Sequence, residues 1–108
     1  MTNQAKKNVT ASAERALVIC TAKRGVFFGY APGSAQGILD AGSVTLARSR
    51  MCVFWSQSTK GVLGLASIGP QSGSRIGPPV PEFAANEITG VMVCTPAAAE
   101  AWEKAPWA

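Results

Sequence analysis

Residues 69–81 read GPQSGSRIGPPVP, and no other stretch restricts the fold as strongly. Three glycines and four prolines in that window argue against a regular helix or a central strand. Proline fixes φ, lacks an amide donor and pushes its predecessor out of the α region. A slack linker would be poor in proline and would separate two segments each able to bury a core. Only residues 82–108 follow this window, too few for a second core. The window therefore reads as an ordered, partly rigid loop within one domain. PPVP favours an extended path, residues 72–74 supply a bend, and Arg75, the only charge, falls near the apex.

The apolar residues elsewhere come in short runs. ALVICT (16–21) is β-branched and strand-like; AKRG (22–25) is a turn in which Gly25 takes positive φ; VFFGY (26–30) returns as a second strand, completing a hairpin. Gly29 inside that strand marks a bulge or a close backbone approach. APGSAQG (31–37) reads as a loop, followed by a short extended ILD. SVTLA (43–47) and MCVFWS (51–56) read as a second strand pair turning around RSR. In MCVFWS both faces are apolar, with Met51, Val53 and Trp55 on one and Cys52 and Phe54 on the other. Such a strand is central in a sheet or pinned at a subunit interface. VLGLASIGP reads as a short helix capped by Ser58 or Thr59 and stopped by Gly69-Pro70. Gly64 weakens that helix by about 1 kcal/mol relative to alanine. EITGVMVCT (87–95) is a further strand. In TPAAAEAWEKA, Thr95 caps a helix, Pro96 suits its first position, and Ala98, Ala101 and Trp102 form the stripe that packs on the sheet. The expected fold is α+β: a mainly antiparallel sheet of four to five strands with a C-terminal helix packed on it. Residues 1–14 read as a flexible tail and 15–108 as a single globular domain.

The chain has 108 residues, of which 47% are hydrophobic and 15% charged; globular proteins average about a quarter charged. So few charges leave much of a monomer's surface neutral or apolar, as surfaces between subunits often are. A homo-oligomer is the expected state. Net charge is +4, but Lys6 and Lys7 lie in the tail, so the folded part is only mildly basic and does not by itself argue for strong phosphate binding. Cys20, Cys52 and Cys94 sit singly in apolar runs, as reduced core thiols do, which fits a reducing compartment. No run approaches the roughly 20 apolar residues of a membrane span, and the N-terminus lacks a signal-like segment. A cytoplasmic protein without membrane contact is expected.

Catalysis is not. There is no histidine, which removes the commonest general base and zinc ligand. Asp40 is the only aspartate and sits beside Gly42 in a turn. Glu82 and Glu87 read as solvated strand-end charges, and Glu100 with Lys104 as a helical surface pair. No phosphate-binding glycine motif is present. No cofactor or metal is implied. RGVFFGYA (24–31) matches the RNA-recognition signature only at Arg24, Gly25 and Phe28, and a hairpin with Phe27 and Phe28 packing opposite faces is the preferred reading of it. The remaining candidates are basic: Lys23 and Arg24 in one turn, Arg48 and Arg50 in another, Lys60 before the short helix, and Arg75. If several converged at one end of the sheet they would bind anions, nucleic acid or a nucleotide, the more strongly if symmetry multiplied them. Otherwise they are scattered solubilising charge.

Taken together, RGVFFGY, ARSRMCVFWS, KGVLGLASIGP, GSRIGP and CTPAAAEAWEK resemble a family of small uncharacterised proteins of tailed bacteriophages and prophages, over about residues 16–105. The resemblance implies a viral or prophage origin and expression in a bacterial host cell, and lends no chemistry to any residue. Three functions are compatible with the sequence. The first is a non-enzymatic accessory protein acting as a homo-oligomer, even a ring, through contacts with host or virion proteins. The second is a nucleic-acid- or nucleotide-binding protein using the basic turns. The third is a small structural component of the virion.

Overall fold

A computed structural model describes residues 14–107; the expected tail, Glu14 apart, lies outside them. Arg15–Thr21 (β1) and Val26–Ala31 (β2) pair as an antiparallel hairpin with Val18 opposite Phe28. In the turn it is Arg24 that takes positive φ, at 66°, not Gly25. Gly25 is needed for space instead, since a Cβ there would stand 2.6 Å from the Phe27 ring and 2.7 Å from Thr21 Oγ1. Gly29 meets both expectations: the register against the next strand slips between Phe28 and Tyr30, and a Cβ would come within 2.6 Å of Leu46 Cβ.

The stretch after β2, expected as loop and extended chain, is a helix, Ala35–Ala41 (α1). Ser34 accepts a bond from the Gly37 amide, and Gly42 closes the helix in the left-handed region. Within it Ile38 is buried. A helix this short nucleates only with tertiary help, so its apolar pattern carries little signal by itself. Ser43–Phe54 then forms one strand of 12 residues (β3). The turn expected at RSR is absent. Arg48 has φ 50°, so the extra residue bulges and bends the strand without reversing it.

After β3 a 3₁₀ turn at Gln57–Thr59 leads into Gly61–Ser67 (α2). The helix begins at Lys60 in the left-handed region and without a side-chain cap, so Ser58 and Thr59 do not cap it. Thr59 is wholly buried and holds the proline-rich loop: its hydroxyl accepts the Gln71 amide at 3.0 Å and lies 3.2 Å from both the Ser56 and Ser74 hydroxyls. The loop is thus ordered, as expected. Its bend is at residues 72–73, within the expected 72–74, but Arg75 is not at the apex: it has already entered a two-residue strand, Arg75–Ile76 (β4), opposite Phe54. Pairing breaks at Gly77-Pro78-Pro79, where two residues lack amide donors, and resumes in Val80–Asn86 (β5) along the first half of β3. Ile88–Val93 (β6) pairs with β1, and Pro96–Lys104 (α3) follows, capped by Thr95 as expected.

The result is an α+β fold with a six-stranded antiparallel sheet, ordered β4-β3-β2-β1-β6 with β5 also on β3. The two strands beyond expectation, β4 and β5, come from Arg75-Ile76 inside the proline-rich window and from VPEFAAN at its end. β5 and β6 occupy opposite edges of the sheet yet are separated only by Glu87, at φ 55°. The edges must therefore meet there, and the sheet curls. Phe27 on β2 accordingly reaches Phe83 on β5 across the intervening strand, ring centroids 4.5 Å apart. The concave side encloses Leu17, Ile19, Leu46, Ile88 and Ile38 of α1. The other face packs Val18, Val26, Phe28, Cys52 and Ile76 under Leu65 of α2 and Trp102 of α3. Trp102 stacks on Phe28 at 5.1 Å and donates its indole N–H to the Leu65 carbonyl at 2.9 Å.

Candidate functional site

The six basic candidates separate into two groups. β2 runs antiparallel to β3, so the β1–β2 turn lies at the sheet end where β3 finishes. Lys23 and Arg24 in that turn, Lys60 and Arg75 all belong to this end and are exposed. Apolar side chains emerge beside them: Met51 and Val53 from one face of β3, 44% and 60% exposed, and Phe54 from the other, 55% exposed. Between Asp40 and Glu82 the chain has no acidic residue. The end of the sheet is thus an apolar strip with a mainly positive fringe, in which Glu87 shares a small cleft with Lys23.

Arg48 and Arg50 lie in mid-strand, not in a turn. Arg48 is exposed, pairs with Glu14 at 2.8 Å and holds its guanidinium 4.2 Å from the centre of the Tyr30 ring. The Tyr30 hydroxyl donates to Glu103 on α3. That bond and burial push the phenol well above its usual range, burial being the larger effect. Arg50 is the only buried charged residue among those described, with 4% of its surface exposed. Its Nε donates to Gly77 O, and its Nη1 donates to Trp102 O and Ala105 O, each at 2.7 Å. The guanidinium therefore ties the proline break between β4 and β5 to the C-terminal carbonyls of α3, where a cation also suits the helix dipole. Burial lowers its pKa below the usual arginine value. Its Nη2 is buried and has no partner among the described residues. The signal available in sequence was only that Arg50 lies in an apolar strand.

Above Arg50 opens a cleft of about 430 Å³, lined by Phe28, Arg48, Arg50, Pro79, Val80, Pro81, Glu103 and Trp107. Trp107, 69% exposed, is held there by a bridge to Ile76. Sequence reasoning missed Trp107, Tyr30 and Glu103, which meet only because α3 lies over β2 and β3. The aromatics resembling an RNA signature are engaged: Phe28 is fully buried under Trp102, and Phe27 packs on Phe83. The three cysteines form no disulfide. Burial pushes the Cys52 thiol up to about 11 and Cys94 up to about 12. A thiol held protonated is a poor nucleophile. Among the described residues no group of three potential metal ligands comes together, and no helix is long and apolar enough to cross a membrane.

No curated protein and no solved structure matches the chain. A family model does, over residues 14–102, which is nearly the whole described fold from β1 into α3. The chain belongs to that family, the domain of unknown function DUF6948.

Proposed function

We propose that the protein is a non-catalytic accessory protein that works as a homo-oligomer, its subunits joined through the end of the sheet where β3 finishes. The observation that carries this reading is the exposure of Met51, Val53 and Phe54 from both faces of one strand end. Burying side chains of this size contributes about 1.5–3 kcal/mol each. A second copy suits the surface by charge. The strip is fringed by Lys23, Arg24, Lys60 and Arg75, with Glu87 beside Lys23, while other exposed carboxylates sit elsewhere: Asp40 on α1, Glu82 on β5 and Glu100 on α3. A contact of one region with a different region is heterologous and closes into a ring when the rotation allows. The phage or prophage setting belongs to the same proposal and rests on the sequence resemblance alone.

The test is light scattering after size exclusion, with absorbance at 260 and 280 nm followed across the peak. The expected result is a defined oligomer that Val53→Lys and Phe54→Lys convert to a folded monomer. A wild-type monomer of 11.2 kDa would overturn the reading. A second reading, nucleic-acid binding by the same basic fringe, is favoured by the gathering of four cations at one sheet end. It predicts excess absorbance at 260 nm, and salt-sensitive RNA binding lost in Arg24→Ala/Arg75→Ala while the oligomer persists.

A further inference from the structure

Arg50 is held in a way that leaves part of it unused. Its Nε and Nη1 have three backbone carbonyl partners, all neutral. No carboxylate lies within ion-pair distance of it among the described residues; the pairs found are Arg48–Glu14 and Lys104–Glu100. Burial is the sole cause of its lowered pKa, so no nearby charge offsets the cost. A buried cation ordinarily pairs with an anion. A buried donor left unmade costs about 1–3 kcal/mol, yet Nη2 carries both its hydrogens without a partner. If the arginine served only to fasten α3, its free edge would have no purpose.

Arg50 lines the 430 Å³ cleft, a volume within the roughly 300–1,000 Å³ of small-molecule sites. The walls are mostly apolar, from Phe28, Pro79, Val80, Pro81 and the Trp107 indole. Two groups at the cleft add polarity. Arg48 uses Nη2 on Glu14 and stands over the Tyr30 ring. The Glu103 carboxylate is oriented by the Tyr30 hydroxyl. We infer that this cleft binds a small organic oxyanion, its carboxylate or phosphate head on Arg48 and on the Arg50 guanidinium where it lines the cleft, away from the Glu103 carboxylate, and its flat apolar body against Trp107 and the prolines. A guanidinium matches both head groups in geometry and charge. The indole and pyrrolidine rings favour a planar body. The site shares no lining residue with the strip of β3 proposed for self-association, so either can fail alone.

The test uses the full chain labelled with nitrogen-15, titrated with benzoate, adenosine monophosphate and inorganic phosphate while the Arg50 side-chain Nε–H and Trp107 indole N–H resonances are followed. Benzoate or the nucleotide should move both, with a dissociation constant of about 1 mM or tighter. A response to benzoate alone assigns a carboxylate head, and a response to the nucleotide alone a phosphate head; either supports the site. Arg50→Lys removes the free edge but also loosens α3. The decisive variants are therefore Arg48→Gln and Trp107→Ala, neither of which contributes to the buried core. Arg48→Gln should weaken binding about tenfold, the equivalent of 1.4 kcal/mol. Trp107→Ala should weaken benzoate and nucleotide binding and leave inorganic phosphate unaffected. Equal binding of inorganic phosphate and the organic probes would overturn the apolar half of the site. Unmoved Arg50 and Trp107 resonances at about ten times that concentration, in a folded protein, would overturn the site itself.

Discussion

Arg50 and Gly64 show how much single residues do in this fold. Replacing Arg50 by methionine keeps an unbranched chain in the strand but leaves the carbonyls of Gly77, Trp102 and Ala105 without their donor. It also removes an uncompensated buried charge, which favours the variant. Hydrogen bonds to a charged donor contribute about 1.5–3 kcal/mol each, so three of them outweigh the relieved desolvation. Arg50→Met should destabilise by about 3 kcal/mol in urea unfolding, and a stability equal to wild type would show that the guanidinium is not the tie. Gly64 is fixed by contact. A Cβ there would stand 1.6 Å from the Thr59 carbonyl oxygen, so the backbone between the 3₁₀ turn and α2 would have to move. Gly61, three residues earlier, has open space around it but a φ of 81°. Gly61→Ala should therefore cost only the left-handed penalty of about 1–2 kcal/mol. Gly64→Ala should cost more than that, and a smaller loss than for Gly61→Ala would contradict the packing of α2 on Thr59.

At the scale of elements, α3 depends on the residue that precedes it. Thr95 accepts the Ala98 amide at 3.0 Å and donates to the Ser67 carbonyl at 2.7 Å, so one hydroxyl both caps α3 and fastens it to the end of α2. Thr95→Ala should lower stability by about 1–2 kcal/mol. Thr95→Ser should retain most of it, since serine keeps the hydroxyl; thermal unfolding of the two variants reads the difference. This helix was legible in sequence because its cap, proline and apolar stripe are local. So were β1, β2 and the ordered loop, where β-branched runs and prolines act on the backbone directly. The pieces that were not legible depend on distant partners. α1 has seven residues and forms where Ile38 joins Leu17, Leu46 and Ile88 in the inner core. β5 reads VPEFAAN, weak in β-branched residues, and is made a strand by β3 beside it. RSR looked like a turn because polar residues interrupted an apolar run. One arginine bulges there, and the other is paid for by carbonyls brought from residues 77, 102 and 105. The cleft shared that fate: Arg48 and Arg50 were picked out by type, but Tyr30, Glu103 and Trp107 join them only through the docking of α3.

For the molecule as a whole, the curl of the sheet makes two cores from one layer, and the cysteines report on the outer one. Cys52 belongs to that core, and Cys20 and Cys94 pack against it. Burial holds the Cys52 and Cys94 thiols protonated to about pH 11 and 12, against an ordinary value near 9. The unfolded chain loses those protons first. Between pH 9 and 11 it binds fewer protons than the folded chain, so stability must fall as pH rises through that window. Below pH 9 both states are protonated and the contribution is fully present. The slope is at most about 1.4 kcal/mol per pH unit for each thiol, and less for half-buried Cys94. Tyr30, also raised, acts in the same direction at higher pH. Thermal midpoints measured from pH 8 to 11 should therefore decline, and the decline should be shallower in Cys52→Val/Cys94→Val, which keeps apolar volume and removes the proton. Were the double variant to fall as steeply as wild type, the alkaline loss would come from elsewhere and the outer core would be open to water at its cysteines.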